Sequence, residues 1–267
     1  MATLGNAICG FGAMYVSTLT PDTHSPDKWT TLFSQHRFTI AAYMIFAAML
    51  FDAIDGRLAR FTRHTTDFGG QLDSLADVIS FGAAPAFLAL ELFKAGYGGA
   101  PPPLSRLIWA IGALYMSCAA LRLARFNVSN EHGEQHHFSF LGLPSPAAGG
   151  TIAAWVLMQQ DLAREAFESG ANSRFGVILA HISSLSIMAL PAIVLLTGLL
   201  MISHIRYPHL VNRHLRGKRS LGRLLLILIG LLVLVVAHQY AIAIGMLAYV
   251  LAGVCSAATR LRRRPGL

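Results

Sequence analysis

Five of the 13 acidic residues of this chain lie within 26 consecutive positions. Asp52 and Asp55 are three residues apart, and Asp73 and Asp77 are four apart, so each pair shares one face of a helix. Carboxylates that crowd a small space repel each other unless cations lie between them, and hard divalent ions such as Mg2+ or Mn2+ prefer oxygen ligands. The spacing therefore indicates a divalent metal site. A proton or cation pathway, or neutralisation by neighbouring arginines, is the alternative.

The surrounding sequence places these carboxylates in a membrane. Hydrophobic residues make up 54% of the chain and charged residues 13%, whereas soluble domains average about 25% charged residues. A chain so poor in charge cannot cover itself with a polar surface, which excludes a soluble protein. A carboxylate within a membrane helix costs about 2.5 to 3.5 kcal/mol on insertion scales, so the acidic cluster is a functional candidate by default.

Apolar segments long enough to span a bilayer occur about eight times, which predicts an all-α polytopic membrane bundle. The second and third segments carry the carboxylates and are joined by a short loop at about 57–68, so the two pairs can face each other at one depth. The polar triplet 238–240 predicts a tight turn between the last two helices, which form a C-terminal pair at about 222–258. The predicted spans are 2–19, 38–56, 69–93, 105–126, 143–160, 175–204, 222–237 and 239–258.

The basic residues predict the orientation of these spans. Of the 21 Lys and Arg residues, 15 lie in segments that one side of the membrane would share, together with both termini. The positive-inside rule makes that side cytoplasmic and predicts an integral protein of the cell's inner membrane, with its acidic site facing the cytoplasm. The basic loop 206–223 is either such topogenic charge or an anchor for anionic lipid head groups. The cations flank apolar runs and do not form a groove-reading pattern, so no nucleic-acid partner is expected.

The residues between the carboxylates complete a specific motif. The stretch 52–77 reads D-x2-D-G-x2-A-R-x8-G-x3-D-x3-D, which matches the signature of the CDP-alcohol phosphatidyltransferase family at all eight fixed positions. The resemblance implies that residues 1–267 form a single domain with the fold of that family. It also implies a homodimeric helical membrane enzyme in which two Mg2+ or Mn2+ ions hold the diphosphate of a CDP-linked lipid, and an alcohol displaces CMP.

By this resemblance Asp52, Asp55 and Asp73 are metal ligands. Asp77 both binds metal and accepts the proton of the attacking hydroxyl, which makes it the expected catalytic base. Phosphoryl transfer from a diphosphate requires neutralised negative charge, an activated hydroxyl and a positioned leaving group, and a pair of divalent ions supplies the first and third.

The other signature residues are expected to bind the CDP-lipid. Gly56, Ala59 and Gly69 leave room for a pyrimidine and its phosphates, although small-residue helix packing is an alternative. Arg60 presents a fork that suits phosphate oxygens. Asn6, a lone amide in the first apolar segment, either helps to hold the nucleotide or makes an interhelical hydrogen bond.

Three further stretches resemble the bacterial and archaeal phosphatidylserine synthases of this family. They are 3–11 (TLGNAICGF), 123–128 (LARFNV) with 142–148 (GLPSPAA), and 201–208 (MISHIRYP). The resemblance implies that CDP-diacylglycerol and L-serine react to give phosphatidylserine and CMP. Acceptors such as glycerol 3-phosphate or inositol phosphate would require additional cations. A rival of another class, an ion-coupled transporter, would not require the glycines and Arg60 at these spacings.

A serine acceptor needs a cation for its carboxylate. Arg122 and Arg125 end the fourth predicted span on the side of the acidic cluster, and Asn127 could add a polar contact. These three residues are therefore candidates for the acceptor pocket. Snorkelling of topogenic charge toward the membrane surface is the alternative for both arginines.

Overall fold

The structure is a computed structural model that describes residues 2–20, 33–62, 67–98, 101–131, 142–170, 173–205 and 237–262. Within these ranges the regular structure is entirely helical, which confirms the predicted all-α class. The helices are α1 (Ala2–Thr18), α2 (Arg37–Thr62), α3 (Asp67–Asp77), a π-helical turn (Val78–Ala83), α4 (Ala84–Gly96), α5 (Pro102–Glu131), α6 (Ser145–Glu168), α7 (Arg174–Ile202) and α8 (His238–Arg262).

Five helical segments of the described residues are long and apolar enough to cross a membrane. One of them combines α3, the π-helical turn and α4 into a single span. The segments are Arg37–Arg57, Phe68–Gly96, Pro103–Val128, Arg174–Ile202 and His238–Ser256. The chain is therefore a polytopic membrane protein.

The predicted count of eight spans is not confirmed. The segments 2–19 and 143–160 do form helices, α1 and α6, but α1 has only 17 residues and α6 carries Gln159, Gln160 and Asp161 in its second half. Neither helix combines the length and the hydropathy of a spanning segment. The remaining predicted span, 222–237, lies almost wholly outside the described residues, as does the basic loop 206–223.

Several helices extend beyond their apolar segments, which corrects the predicted boundaries. α2 continues to Thr62 and α3 begins at Asp67, so the connection between these two helices is shorter than the predicted loop 57–68. α5 runs on to Glu131. The triplet that begins at His238 forms the first turn of α8 rather than a turn between helices. Hydropathy locates the membrane-embedded part of a helix, whereas backbone hydrogen bonding continues until the sequence provides a stop.

The core is built around α6. One face of this helix, which includes Ala148, Ile152 and Val156, is completely buried. α6 packs against α2, α7 and α8, while α1 lies along α2 and reaches the π-helical turn. This arrangement brings the first turns of α1 and α6 close to the acidic pairs on α2 and α3.

The start of α6 is fixed by a glycine with a left-handed backbone. Gly142 has a φ of +86°, and a Cβ there would also collide with the backbone of Met201. Its N–H donates to Ile205 O at 2.9 Å, and the N–H of Leu143 donates to Leu200 O at 2.9 Å. The end of α7 thereby holds the first turn of α6 in place.

Candidate active site

Three carboxylates from two helices meet at one point. Asp52 of α2 and Asp73 and Asp77 of α3 each offer an oxygen, and these oxygens all lie within 4.8 Å of one another. Asp52 and Asp73 are half-buried, and Asp77 is only 8% exposed. α1 packs against both α2 and α3, which is how residues 21 to 25 positions apart come together.

Asp55 lies beside this trio rather than within it. The hydroxyl of Thr3, in the first turn of α1, donates a hydrogen bond to Asp55 Oδ2. The Asp55 carboxylate is still close enough to repel those of Asp52 and Asp73 electrostatically. The structure thus brings all four signature carboxylates into one neighbourhood, with Asp55 tied to α1.

The trio has the properties of a divalent cation site. Its donors are all carboxylate oxygens, the ligands that Mg2+ and Mn2+ prefer. Asp73 Oδ1 is buried and has no hydrogen-bond partner among the described residues. A buried oxygen without a partner is costly, and like charges this close repel, so a bound cation would remove both costs. The residues therefore fit the metal ions that the sequence predicts.

Asp77 is held by the first helix. Asn6 Nδ2 donates to Asp77 Oδ1 at 3.0 Å, and both side chains are buried. Ser80 Oγ donates to the backbone oxygen of Asn6 at 2.8 Å. The Asn6 amide therefore makes an interhelical hydrogen bond, which is one of the two alternatives that the sequence left open.

A π-helical turn begins directly after Asp77. It covers Val78–Ala83, and the buried hydroxyl of Tyr115 donates to Phe81 O within it at 2.9 Å. Such wide turns are rare in helices and often lie at functional sites. Sequence patterns did not predict this turn, because the segment 69–93 reads as one uninterrupted apolar helix.

Arg122 provides a cation next to the carboxylates. Its Nη1 donates to the buried Ser145 Oγ at 3.0 Å, at the start of α6, and its charge attracts Asp77. Its Nε is buried without a hydrogen-bond partner in the described part of the chain. The side chain thus reaches inward to the bundle, whereas snorkelling would carry it out to the membrane surface.

The other two candidates for the acceptor pocket have different surroundings. Arg125 is exposed, one turn further along α5. Asn127 is bonded to α3, since its Nδ2 donates to Ser74 Oγ at 2.9 Å. The amide of Asn127 therefore joins α5 to the residue next to Asp73.

The small residues of the signature lie on the same two helices. Gly56 is exposed, and apart from its own helix backbone no atom that the structure describes comes within 4 Å of the place that a Cβ would occupy. Gly69 is half-buried near the start of α3. Ala59 and Arg60 belong to the last turns of α2, and their side chains lie outside what the structure describes.

Sequence reasoning missed four polar partners of the site: Thr3, Ser80, Tyr115 and Ser145. Each acts through a contact between helices that are distant in the sequence, so motif spacing carries no information about it. The stretches 3–11 and 142–148 did contain Thr3 and Ser145, but without indicating what these side chains contact. Only the packing of α1, α5 and α6 around the acidic pairs reveals what these side chains touch.

Comparison with known proteins identifies the family. Residues 1–179, two thirds of the chain, match the family model of the CDP-alcohol phosphatidyltransferases. A CDP-diacylglycerol–serine O-phosphatidyltransferase of Helicobacter pylori is 32% identical over 221 residues, which cover 83% of this chain and 81% of the relative.

Two archaeal relatives are also similar to this chain. A protein of Methanocaldococcus jannaschii that is also named CDP-diacylglycerol–serine O-phosphatidyltransferase is 35% identical over 170 residues, 64% of each chain. An archaetidylserine synthase of Methanothermobacter thermautotrophicus is 39% identical over 119 residues, 44% of this chain and 46% of the relative. The matched region includes the whole acidic motif, and the chain therefore belongs to the CDP-alcohol phosphatidyltransferase family and is a membrane-embedded phosphotransferase.

Proposed function

We propose that the enzyme transfers the phosphatidyl group of CDP-diacylglycerol to the hydroxyl of L-serine, giving phosphatidylserine and CMP. The observation that carries this proposal is the meeting of Asp52, Asp73 and Asp77 within 4.8 Å, with Arg122 beside Asp77. The names of the relatives support serine as the acceptor.

Four carboxylates are proposed to hold two divalent ions. Asp52, Asp55, Asp73 and Asp77 are the candidate ligands, and Mg2+ or Mn2+ bound there would neutralise the diphosphate and assist the departure of CMP. The orphaned Asp73 Oδ1 supports this assignment, because an oxygen that lacks a partner in the described chain is available to a cation.

Asp77 is proposed as the general base. The serine hydroxyl gives its proton to a carboxylate oxygen of Asp77, while its oxygen forms a bond to the phosphorus that carries diacylglycerol. The bond from that phosphorus to the bridging oxygen breaks, and the electron pair leaves with CMP. Asp77 is the most buried of the three clustered carboxylates, so its proton transfer would be shielded from competing water.

The CDP-lipid is proposed to lie against the α2 side of the site. The lack of a side chain at Gly56 supports an approach of the nucleotide to this helix, and Gly69 and Ala59 would extend the same low surface. Arg60 is the proposed contact for the diphosphate, because its guanidinium suits phosphate oxygens. Asn6 was a further candidate for contact with the CDP-lipid, and its amide donates a hydrogen bond to Asp77.

The serine carboxylate is proposed to bind Arg122. The buried Nε of this residue lacks a partner in the described chain, while Ser145 holds Nη1, so the guanidinium is oriented and still has donors to offer. Arg125 and Asn127 remain secondary candidates for the acceptor pocket. A phosphate-bearing acceptor would need more positive charge than a zwitterion does.

Three properties of the whole protein belong to the same proposal. We infer one domain over residues 1–267, a homodimer, and a site that opens to the cytoplasmic leaflet of the inner membrane. The excess of Lys and Arg on one side supports the last point, because basic residues favour the cytoplasmic side.

An acceptor panel tests the function. Purified protein in bilayer discs receives CDP-diacylglycerol and Mn2+ or Mg2+, and CMP release is measured with serine, ethanolamine, glycerol 3-phosphate or inositol phosphate. We expect release with serine alone. Preference for a phosphate-bearing acceptor would overturn the serine assignment and leave the phosphotransferase chemistry intact, whereas failure to release CMP with every acceptor would contradict the reaction itself.

A further inference from the structure

Asn6 is a completely buried amide in a helix that is otherwise almost wholly apolar. Its exposed fraction is 0%, and its Nδ2 donates to Asp77 Oδ1 at 3.0 Å. The orientation of the amide follows from this contact, because a carboxylate only accepts hydrogen bonds and would repel the amide oxygen.

The other end of the same amide has no partner. Asn6 Oδ1 is buried without a hydrogen bond to any described residue. A buried carbonyl oxygen of this kind is unfavourable, and an apolar side chain of similar size would fill the space without that cost. Helix packing alone therefore does not explain an asparagine here, whereas its bond to Asp77 does.

The backbone of Asn6 is tied to the same segment. Ser80 lies three residues after Asp77, on the same face, and its Oγ donates to Asn6 O at 2.8 Å. Gly10, one turn further along α1, faces Ser80, and a Cβ at Gly10 would lie only 2.7 Å from Ser80 Cα. The missing side chain lets α1 approach closely enough for both hydrogen bonds.

The segment after Asp77 is also held from the opposite direction. It is the π-helical turn, and the buried Tyr115 of α5 donates to Phe81 O at 2.9 Å. The backbone that follows Asp77 is thus fixed between α1 and α5. Within that frame the Asn6 amide acts directly on the carboxylate.

We propose that Asn6 is a positioning residue that fixes the Asp77 carboxylate for catalysis. One carboxylate oxygen of Asp77 accepts the hydrogen bond from the Asn6 amide, and the other oxygen faces the reacting groups. Asn6 acts through Asp77 and touches neither lipid nor serine. This inference rests on the proposed role of Asp77, and it replaces the expectation that Asn6 contacts the nucleotide.

The first test separates turnover from binding. Asn6→Leu keeps the branched shape and the number of heavy atoms of the side chain and removes the donor. We expect kcat to fall roughly 10- to 100-fold, as for the loss of one hydrogen bond to a charged group, with KM for CDP-diacylglycerol within about threefold of wild type. An unchanged kcat, or a selective rise in that KM, would overturn the proposal, and the second result would restore a nucleotide contact.

A double-mutant cycle tests whether the effect passes through Asp77. In the Asp77→Asn background, Asn6→Leu should lower kcat by no more than about twofold, because the group that it positions is already altered. A general structural role would instead lower kcat by the same factor in both backgrounds, and that result would contradict the proposal.

Equilibrium binding of Mn2+ alone gives a readout that does not depend on turnover. Partners that orient metal ligands typically contribute about 10- to 100-fold to metal affinity. Electron paramagnetic resonance of Mn2+ with protein free of CDP-diacylglycerol should show that Asn6→Leu weakens Mn2+ binding about tenfold. When Asp77→Asn is already present, Asn6→Leu should weaken Mn2+ binding little further. Equal Mn2+ affinity of Asn6→Leu and wild type would refute the positioning role, whichever acceptor the enzyme uses.

Two further variants cover the remaining cases. Asn6→Ser, whose hydroxyl is too short to replace the amide, takes the place of Asn6→Leu if the latter does not fold, with the same expected results. Ser17→Ala removes another buried polar group of α1, whose Oγ donates to Met14 O within the same helix. This control should keep wild-type kcat and Mn2+ affinity. A loss equal to that of Asn6→Leu would mean that the effect is not specific to Asn6 and would contradict the proposal.

Discussion

Charge is arranged in opposite ways at the two ends of the bundle. At the end that we propose to be catalytic, Asp52, Asp73 and Asp77 crowd together with Arg122, and two buried polar atoms of these residues lack partners in the described chain. At the far end, Lys94 pairs with Glu91 at 2.6 Å and Arg164 with Glu168 at 2.7 Å, each within one helix. Lys94 lies 17 residues beyond Asp77 along one span, about 25 Å away.

The difference concerns what completes each region. The far pairs are complete within their own helices, and exposed ion pairs of this kind contribute little to stability. The catalytic end holds like charges and orphaned atoms that the described chain does not satisfy. A protein keeps such an arrangement where a ligand completes it. Enzyme activity should therefore depend strongly on the acidic end and only weakly on the ion pairs of the far end.

Removal of divalent ions should have the largest effect. The clustered carboxylates cannot bind a diphosphate unless cations neutralise them, so an excess of chelator should reduce CMP release to below about 1% of the initial rate. Addition of Mg2+ or Mn2+ beyond the chelator should restore it. Full turnover in excess chelator would mean that the catalytic end works without metal.

Replacement of the proposed base comes next. Asp77→Asn keeps the size of the side chain and removes its capacity to accept the hydroxyl proton, so we expect kcat to fall about 100- to 10,000-fold. CMP binding, measured by calorimetry with Mn2+ present, should remain detectable. The matched variant Asp52→Asn should weaken CMP binding as well, because it removes a metal ligand; near-normal turnover of Asp77→Asn would remove this residue from the mechanism.

Replacement of Arg122 should change the KM for serine more than the KM for CDP-diacylglycerol. Arg122→Ala is expected to raise KM for serine roughly 10- to 100-fold, with a much smaller change for CDP-diacylglycerol, since one charge-assisted contact is lost. Arg122→Lys should recover only part of the loss, because a point charge lacks the fork of a guanidinium. If Arg125→Ala shows the larger rise instead, the exposed arginine is the one that binds the carboxylate.

Ion pairs of the far end should have the smallest effect. Glu168→Gln removes the partner of Arg164, an exposed side chain. We expect turnover to stay within about twofold of wild type and the thermal midpoint to move by no more than about 2 °C. A large loss of activity would show that the two ends are coupled and would break the contrast between them.

The sequence predicted the grouping of the carboxylates better than the contacts that support them. Asp73 and Asp77 share one face of a helix and Asp52 lies on the preceding helix, so local spacing was enough to expect that this pair of helices carries the cluster. The partners Thr3 and Asn6 depend on which helix lies against that pair, and nothing in a local pattern specifies it. Side-chain contacts between distant helices are set by the packing of the whole bundle.

The number of spans was harder to predict for a physical reason. Hydropathy measures the preference of a single helix for lipid, whereas most of α6 is buried against α2, α7 and α8. Its Gln159 donates to Ser183 Oγ of α7 at 3.1 Å, and Trp155 Nε1 donates to Ser186 O at 2.9 Å. Polar groups satisfied in this way lower the hydropathy of a helix that is nevertheless buried.

The same polar face of α6 has a consequence for biogenesis. A helix that carries two glutamines and Asp161 inserts poorly from the translocon into lipid when it is alone. α7, which is far more apolar, follows after five residues and supplies the matching hydrogen-bond acceptors. We expect the two to enter the bilayer together as a helical hairpin, so that a nascent chain that ends before Arg174 would leave α6 outside the membrane.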